Sequence, residues 1–234
     1  MAHKSLFNWS GGKDSALALF HTLNNPDHKV ECLMTSLNSE ADRISMHGVR
    51  KSMLEAQVKA IGLPLSILSL PGEISMEDYD ALMRKQMAGF INQGITHSVF
   101  GDIFLEDLKK YREQKLAEVG LMGYFPLWKR DTRELIREFL DLGFKTMVVS
   151  VDGSKLDQSF AGRELDESFL SDLPSNVDPC GENGEFHTFV FEGPIFDKPV
   201  HFTKGEVVGK EYKLSGETDK TVTYWFQDLL PIDN

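Results

Sequence analysis

Apolar residues in the first two thirds of the chain alternate between short continuous runs and stretches with helical spacing. The short runs predict strands at residues 6–9, 30–37, 65–70, 98–100 and 147–151. Helical spacing predicts helices after residue 13, at 47–61, 76–91 and 105–119, and after Asp131, which can cap a helix together with Glu134. Strands and helices that alternate in this way predict an α/β fold, a Rossmann-like doubly wound parallel sheet.

The pattern changes after residue 152, where helical spacing becomes scarce and short β-type runs follow one another. These runs predict strands at residues 186–191, 198–202, 206–214 and 222–226. We therefore predict two domains, an N-terminal α/β domain at 1–125 and a C-terminal, more β-rich α+β domain at 126–234. Ligands of the first domain should bind at the carboxyl ends of its strands, where segments 10–15 and 101–102 fall.

A glycine-rich segment, Ser-Gly-Gly-Lys-Asp-Ser at residues 10–15, separates the first predicted strand from the first helix. The start of a helix offers unpaired backbone N–H groups and the positive end of the helix dipole, which together favour an anion. Adjacent glycines allow positive φ and close approach of a ligand, and Lys13 adds a cation. The segment differs from the Walker A pattern, because Lys13 is followed by Asp14 and the earlier glycine is missing. It predicts a phosphate-binding loop of another type.

The overall charge of the chain limits the kinds of partner that it can bind. The 234 residues include 41% hydrophobic and 26% charged residues, and the net charge is −11. Such an acidic chain disfavours non-specific binding of nucleic acid, since a phosphate backbone attracts basic surfaces. ATP needs only a local cationic pocket, for which Lys13, Arg43, Arg50 and Lys51 are the candidates.

Cysteine content and hydrophobicity bear on the compartment. The two cysteines are Cys32 and Cys180, and we expect no disulfide because Cys32 lies in an apolar run typical of a buried strand. The sequence begins without the apolar region of a signal peptide and has no apolar run of transmembrane length. Cysteine and histidine are not spaced as in zinc sites. These features predict a reduced, cytoplasmic protein without membrane association or structural zinc.

A second polar segment lies at residues 178–188. Asn183-Gly184 predicts a type I′ hairpin turn with Glu182 and Glu185 beside it, and with Glu185 and His187 on one face of the outgoing strand. Two carboxylates and an imidazole could bind a cation, deprotonate an amine or orient a nucleophile, whereas a polar surface hairpin would need none of these functions. The local sequence does not choose among these interpretations.

Five motifs occur in one order along the chain and together resemble a known family. They are Ser-Gly-Gly-X-Asp-Ser at 10–15, Gly-Asp-Ile at 101–103, Pro-Leu-Trp at 126–128, Gly162-Arg163, and the run 180–188 followed by Gly-Pro-Ile-Phe at 193–196. The first is similar to the PP-loop of the ATP pyrophosphatases. The whole set resembles the diphthine–ammonia ligase family, also described as N-type ATP pyrophosphatases. The resemblance extends from Lys4 to about Phe202 and leaves the tail after Phe202 unmatched.

The resemblance implies a fold and a reaction. The N-terminal domain should have the adenine-nucleotide α-hydrolase fold, with a substrate domain behind it. The reaction would convert a carboxylate, ATP and ammonia into an amide, AMP and pyrophosphate, and Mg²⁺ is expected because ATP carries about four negative charges. In the namesake of the family the carboxylate belongs to diphthine, a modified histidine on translation elongation factor 2.

Several features of that reaction are left open by the resemblance. Shorter members of the family also occur in organisms that make no diphthamide, so the acceptor is not determined. No separate stretch would form a glutaminase domain, which makes free or partner-supplied ammonia the expected source. The chain could also form a homo-oligomer.

Applied to this sequence, the resemblance predicts three groups of site residues. The candidate catalytic residues are Lys13, Asp14, Glu182, Glu185 and His187. The candidate nucleotide-binding residues are Ser10, Gly11, Gly12, Lys13, Ser15, His47 and Gly101, and the candidate Mg²⁺ ligands are Asp14 and Asp102. Two of these residues have structural alternatives. Asp14 could serve only the first turn of the helix, and His47 could be a helix N-terminal residue bonded to backbone.

In the expected mechanism, the phosphate-binding loop holds the β- and γ-phosphates through the backbone N–H groups of Gly11, Gly12 and Lys13 and through the Lys13 ammonium. The acceptor carboxylate then attacks the α-phosphorus. Glu182, Glu185 or His187 would take a proton from ammonium, because only NH₃ is a nucleophile.

Further expectations concern the surroundings of the site. The loop-like segment 152–178 is predicted to close over the site and exclude water. Arg163 either meets the substrate or pyrophosphate or lies on the surface. Trp128 should belong to the core rather than stack on adenine, and Cys180 should be a buried, inert thiol.

Two other functions stay open at this point. A sulfur transferase would need a persulfide-forming cysteine, for which Cys180 is the candidate, and usually a basic surface. A non-catalytic adenine-nucleotide-binding protein would keep the phosphate-binding loop without turnover.

Overall fold

The chain forms two β-sheets and a set of α-helices. Its computed structural model describes residues 1–40, 42–44, 48–72, 74–213 and 221–232. The helices are α1 (Lys13–Leu23), α2 (Lys51–Ile61), α3 (Met76–Asn92), α4 (Glu106–Glu118), α5 (Thr132–Asp141) and α6 (Glu167–Asp172). The strands are β1 (His3–Asn8), β2 (His28–Asn38), β3 (Arg43–Ile44), β4 (Leu65–Leu70), β5 (His97–Val99), β6 (Met122–Tyr124), β7 (Lys145–Asp152), β8 (Phe186–Glu192), β9 (Phe202–Lys213) and β10 (Thr221–Pro231). None of the helices described is both long enough and apolar enough to cross a membrane.

β1 lies at the centre of the first sheet, which is parallel apart from one short strand. β2 pairs with β1 on one side and β5 on the other, while β4 and β6 extend the sheet beyond β2 and β5. The two-residue β3 pairs antiparallel with the end of β2. Because the chain order reverses between β1 and β5, the ligand crevice of such a sheet lies at the carboxyl ends of these two strands. The predicted doubly wound parallel sheet is confirmed.

The second sheet is antiparallel, with the strand order β8-β7-β10-β9. β9 and β10 come from the tail that the sequence motifs left unmatched, and β10 lies inside the sheet between β7 and β9. The strand predicted at 198–202 is wrong, because β9 begins only at Phe202 and the preceding Pro199 has no N–H for a strand ladder. The β-rich character predicted for the C-terminal region is confirmed.

The ends of several predicted elements follow local sequence signals. β4 has the predicted bounds, and the carboxylate of Asp131 caps α5 by accepting the backbone N–H groups of Arg133 and Glu134. α2 begins at Lys51, later than predicted, with Arg50 as its extended N-cap. Residues 45–47, which the helix prediction included in part, lie outside the described residues.

One buried apolar core includes side chains from both sheets. Phe7 and Leu33 of the first sheet belong to the same cluster as Val148 and Phe189 of the second. Burial of this shared apolar surface stabilises the packing of the two sheets on each other. The division into domains at 125/126 stays a prediction.

Three histidines meet at the amino-terminal ends of β1, β2 and β5. The ring centroids of His3 and His97 are 4.3 Å apart, and those of His28 and His97 are 5.3 Å apart. Burial, followed by the neighbouring imidazoles, lowers the pKa of His28 and of His97 below the ordinary histidine value. This end of the sheet therefore favours neutral imidazoles.

We expect acid to destabilise the protein through this histidine cluster. The unfolded chain takes up protons near pH 6.5, while the folded cluster resists them, so the contribution of this cluster to the free energy of unfolding should fall as the pH drops below about 6.5. Thermal unfolding at about pH 7.5 and 5.5 measures the effect, and His97→Gln should reduce the drop in Tm. An equal drop in the variant and the unchanged protein would contradict the assignment.

Candidate functional site

The phosphate-binding loop predicted at residues 10–15 follows β1 directly and ends in the first turn of α1. Its two serine hydroxyls bond to each other, with Ser10 Oγ donating to Ser15 Oγ at 3.0 Å. Ser15 Oγ also lies 2.9 Å from the Gly12 carbonyl oxygen, and the Gly12 N–H donates to Ser10 Oγ at 3.3 Å. The loop is closed by its own side chains, and Gly12 forms the N-cap at the positive end of α1.

The chain that leaves β5 packs directly against this loop. Asn8 Nδ2, at the end of β1, donates to Ser98 Oγ at 2.8 Å and to the Val99 carbonyl at 2.9 Å. A Cβ added at Gly101 would lie 3.0 Å from the backbone carbonyl carbon of Asp14. Glycine at this position therefore lets the end of β5 approach the first turn of α1.

We expect Gly101→Ala to destabilise the site, because the added methyl group would contact the Asp14 backbone rather than a movable side chain. Such overpacking costs about 1–3 kcal/mol of the free energy of unfolding. Gly89→Ala in α3 is the matched control, since a Cβ there meets nothing within 4 Å and should stabilise the helix by about 0.5–1 kcal/mol. Urea unfolding of both variants tests the prediction. Equal stabilities for the two variants would refute it.

Lys13 and Asp14 form an ion pair at the start of α1. Lys13 is only 4% exposed, and its Nζ donates to both Asp14 carboxylate oxygens, at 2.9 and 2.7 Å. Burial alone would lower the pKa of Lys13, but the adjacent Asp14 carboxylate holds it above its ordinary value. Lys13 is therefore a cation that Asp14 balances. Its backbone N–H, expected to face a phosphate, instead donates to Thr188 Oγ1 at 3.0 Å.

The segment 178–185, in the C-terminal part of the chain, places Glu182 beside the residues that follow β5. Glu182 Oε1 accepts the backbone N–H of Ile103, just beyond β5, at 2.9 Å. Asp178 Oδ1 accepts the N–H groups of Cys180 and Glu182, at 2.9 and 3.3 Å. Glu185 is 3% exposed, and its two oxygens accept three N–H groups from Asp178 and Asn183 at 3.0–3.2 Å. Asp178 and Glu185 thus hold the segment that presents Glu182.

The type I′ hairpin predicted at Asn183-Gly184 is wrong. A type I′ turn needs positive φ at both central residues, but of this pair Gly184 has positive φ, at 86°, and Asn183 does not. The segment before it is a loop rather than a strand, and β8 pairs with β7 instead. The bonds to Asp178 and Glu185 give the segment its shape, which a local turn signal does not report.

The carboxyl group of Glu182 has an unusually high pKa. Burial raises it most, and the nearby carboxylates of Asp14 and Asp102 raise it further, while the Ile103 N–H and Lys13 oppose them. The result is a pKa of about 7. Glu182 can therefore gain or lose a proton near neutral pH, as a general acid or base must.

The loop at 10–15 and the segment 178–185 line a cavity of about 660 Å³ together with residues of α3 and α4. This volume is within the usual range of about 300–1,000 Å³ for small-molecule sites. The predicted site residues that line it are Ser10, Gly12, Lys13, Asp14, Ser15, Gly101, Asp102, Glu182 and His187. Gly11 and Glu185 do not line it. The Gly11 carbonyl accepts from the buried Gln57 amide, and the Glu185 carboxylate bonds within the 178–185 segment. His47 lies outside the described residues.

Asp102 lies beyond the end of β5 and faces Arg112 of α4. Its Oδ2 is 2.8 Å from Arg112 Nε, and the guanidinium carbon of Arg112 lies 4.4 Å from the ring centroid of Phe100. Burial raises the pKa of Asp102, and Arg112 lowers it in part. The Oδ2 atom is buried and has no hydrogen bond of good geometry within the described residues. Asp102 is thus ion-paired with Arg112 through both carboxylate oxygens, and a metal ion would bind it in competition with this guanidinium.

The cations predicted to line the pocket are not there, apart from Lys13. Arg43 and Arg50 both pair with Asp228 of β10, with N–O distances of 3.0 and 2.6 Å, and Lys51 lies 3.8 Å from Glu55. Arg84, Arg112 and Lys115 on α3 and α4 line the cavity instead. Sequence reasoning missed these three, because polar positions on an amphipathic helix indicate only a solvent-exposed face.

The segment 152–178 is not a lid over this cavity. None of its residues lines the cavity, and Leu156, Leu165 and Phe169 are buried in the shared core. Residues of α3 and α4 line the cavity instead. Arg163 is also engaged elsewhere, since its Nη2 donates to Asp172 at 2.8 Å.

Cys180 and Trp128 lie outside the cavity lining. The Cys180 thiol is buried and donates to the Thr132 carbonyl at 3.3 Å, and burial raises its pKa far above the ordinary value. A thiol in this state is a poor nucleophile. The indole of Trp128 contacts the ammonium of Lys109, 5.3 Å from the ring centroid. Cys32 and Cys180 are both free thiols, and Cys32 is half-buried rather than buried.

Comparison with known proteins finds relatives over most of the chain. Residues 3–123 match the family model described as the diphthamide synthase N-terminal domain, and residues 131–220 match the model described as the diphthamide synthase C-terminal domain. The diphthine–ammonia ligase of Schizosaccharomyces pombe is 25% identical over 218 residues, which cover 85% of this chain and 36% of that protein. The human enzyme of that name is 31% identical over 110 residues, covering 44% and 41%. The zebrafish protein is 26% identical over 223 residues, covering 85% and 86%.

The matched regions cover less than half of the length of the fission yeast and human relatives. They cover most of the zebrafish relative. Among solved structures, the U34-tRNA thiolase of Methanococcus maripaludis matches 60% of this chain and 57% of its own at 20% identity, with a TM-score of 0.36. A likeness at this level carries no argument about the site.

Proposed function

Because the chain belongs to the diphthamide synthase family, we propose that it is an ATP-dependent amide ligase. It would join an acceptor carboxylate to ammonia and split ATP into AMP and pyrophosphate. The observation that carries this proposal is that the loop at residues 10–15 and the carboxyl group of Glu182 line the same cavity. The loop at residues 10–15 suits phosphate, and Glu182, with a pKa of about 7, suits the removal of a proton.

The first step activates the acceptor. A carboxylate oxygen of the acceptor attacks the α-phosphorus of ATP, a P–O bond forms, and the bond to pyrophosphate breaks. The N-terminal end of α1 and the ammonium of Lys13 neutralise the departing pyrophosphate, after Lys13 exchanges Asp14 for phosphate oxygens. This exchange is favoured because phosphate oxygens carry more charge than one carboxylate.

The second step forms the amide. Ammonium gives one proton to the Glu182 carboxylate, and the resulting NH₃ attacks the acyl carbon. The C–O bond to AMP breaks, and the nitrogen loses a second proton, which the phosphate of the departing AMP accepts. The base must be ionised at the start and basic enough to accept the proton, which a pKa of about 7 satisfies. His187 lines the same cavity and is the second candidate for this proton.

Mg²⁺ is proposed as the partner of the ATP phosphates. Asp14 and Asp102 would hold it, since both line the cavity. Asp14 is released when Lys13 turns to phosphate, and Asp102 would have to exchange Arg112 for the metal ion. The described residues contain no group of three or more ligating side chains, so a bound ion would take its other ligands from phosphate and water. Bound there, Mg²⁺ would neutralise phosphate charge.

The acceptor is proposed to be diphthine, which the names of the relatives contain, carried on elongation factor 2. We place the acceptor in the part of the cavity that residues of α3 and α4 line. Apolar Met83 and Met87 line this part together with Arg84, which forms no ion pair within the described ranges. A guanidinium without an ion pair can receive an anionic group of the acceptor.

The test is ATP turnover resolved by product. The protein is incubated with ATP, Mg²⁺ and ammonium, with and without elongation factor 2 that carries diphthine. We expect AMP and pyrophosphate only when the factor is present, and amide on the factor by mass spectrometry. ADP as the product would exclude the proposed chemistry. AMP formed only with another carboxylate-bearing protein fraction would keep the ligase and replace the acceptor.

A further inference from the structure

A buried glutamine of α2 contacts the phosphate-binding loop from behind. Gln57 is 0% exposed and does not line the cavity. Its Oε1 accepts the indole N–H of Trp9 at 3.2 Å, and its Nε2 donates to the carbonyl oxygens of Gly11 at 2.9 Å and Val190 at 2.6 Å. With its oxygen and both N–H donors engaged, the amide has one orientation that satisfies all its partners.

The Gly11 carbonyl is held from two directions. Besides the Gln57 amide, it accepts the backbone N–H of Val190 in β8 at 2.9 Å. Gly11 has φ of +81°, and a Cβ added there would lie 2.6 Å from Gln57 Oε1. The loop therefore lies between α2 and β8, with no space for a side chain at position 11.

Fixing this carbonyl also fixes the next N–H group. In a trans peptide the C=O of one residue and the N–H of the following residue point in opposite directions, and the described chain has no cis peptide bond. Because the Gly11 oxygen is turned toward Gln57 and β8, the Gly12 N–H is turned away from them. Gly12 lines the cavity, and its N–H approaches Ser10 Oγ at 3.3 Å, a long bond that a phosphate oxygen can replace.

We infer that Gln57 is a positioning residue for nucleotide binding, which keeps the Gly11-Gly12 peptide with its N–H toward the cavity. A peptide between two glycines has little steric resistance to rotation, and the rotated form would turn a carbonyl oxygen toward the phosphates. This inference rests on ATP binding, which is one part of the proposed function, and not on the later ligase steps. Gln57 acts through the loop and does not touch the nucleotide.

The chain offers a matched control for this inference. Gln227 of β10 is also buried, at 7% exposure, and its Nε2 donates to two carbonyl oxygens, those of Gly205 at 2.8 Å and Asp228 at 2.9 Å. It belongs to the second sheet and lies outside the cavity lining. Gln57→Leu and Gln227→Leu therefore remove the same kind of bonds at two places.

The experiment measures Tm and the dissociation constant for ATP by titration calorimetry in both variants. We expect both variants to have a lower Tm, and Gln57→Leu alone to raise the dissociation constant about tenfold or more, since a rotated Gly11-Gly12 peptide would lose one hydrogen bond to a charged phosphate oxygen. Gln57→Asn, which keeps an amide but is shorter, should fall between Gln57→Leu and the unchanged protein.

A dissociation constant for Gln57→Leu within twofold of that of the unchanged protein would overturn the inference, as would equal weakening in Gln227→Leu. Should Gln57→Leu fail to fold, Gln57→Asn decides by the same twofold criterion. An unchanged protein that does not bind ATP also overturns it. If ATP binds with the expected difference but no AMP forms, the positioning role stands and the ligase proposal fails.

Discussion

Lys13→Met should lower the rate of AMP formation at least about 100-fold, the usual loss when one preorganised charge partner is removed from a transition state. Methionine keeps an unbranched apolar chain that can pack near Phe186, whose ring centroid lies 5.5 Å from the Lys13 ammonium. It removes the cation that would neutralise pyrophosphate. In the unchanged protein the Lys13 ammonium lies 2.7 Å from Asp14 Oδ2. Without that cation the buried carboxyl group of Asp14 should become protonated, so the variant should remain folded.

Lys109→Met is the control for general effects of losing a lysine. Lys109 pairs with Glu113 and contacts the rings of Phe125 and Trp128, and it does not line the cavity. Its turnover should equal that of the unchanged protein. Both variants are assayed for AMP at saturating ATP, together with their Tm. Turnover in Lys13→Met within threefold of the unchanged protein would remove Lys13 from the proposed mechanism.

Glu182→Gln should lower amide formation by about 10²- to 10⁴-fold, the contribution typical of a general base. The glutamine oxygen can still accept the Ile103 N–H, so the 178–185 segment should keep its position. In the unchanged protein the base is active when ionised, and the rate should therefore rise with pH through about 7. That rise should be absent from the residual activity of the variant.

The raised pKa of Glu182 also predicts that its contribution to stability decreases as the pH rises. A carboxylate whose pKa is lowered by an ion pair shows the opposite dependence. The pKa of Glu182 is raised from 4.5 to about 7, so the folded state binds its proton more tightly than the unfolded state does. Its contribution to the free energy of unfolding is full below about pH 4.5 and is lost as the pH rises through about 7. Glu182→Gln should remove this loss, which thermal unfolding across that range measures.

Glu138→Gln is the control for the Glu182 experiments. Glu138 of α5 is also a partly exposed glutamate, and it pairs with His21 at 3.0 Å and with Arg130 at 2.7 Å. It does not line the cavity. We expect it to keep the pH profile of the unchanged protein. A pH profile in Glu182→Gln that still rises through pH 7 would assign the proton to another group, with His187 first.

Most of the first sheet and the phosphate-binding loop could be predicted because their signals are local. β4 and α3 follow from the spacing of apolar residues within their own length, and Asp131 caps α5 through backbone groups two and three residues away. The loop at 10–15 needs only two glycines between a strand and a helix. The hairpin at Asn183-Gly184 failed for the opposite reason, since that segment takes its shape from carboxylates rather than from its own turn residues.

The sequence by itself determined the α/β class and the place of the glycine-rich loop at 10–15, because helix starts and glycine conformations depend on neighbouring residues. That the loop binds phosphate stays a prediction. Only the tertiary structure decided which charges reach the site. Arg43 and Arg50 bond to Asp228, 185 and 178 residues away, whereas Glu182 gains its pKa from burial beside Asp14 and Asp102. Desolvation and long-range pairing depend on what the folded chain brings near a group, and no spacing along the chain contains that information.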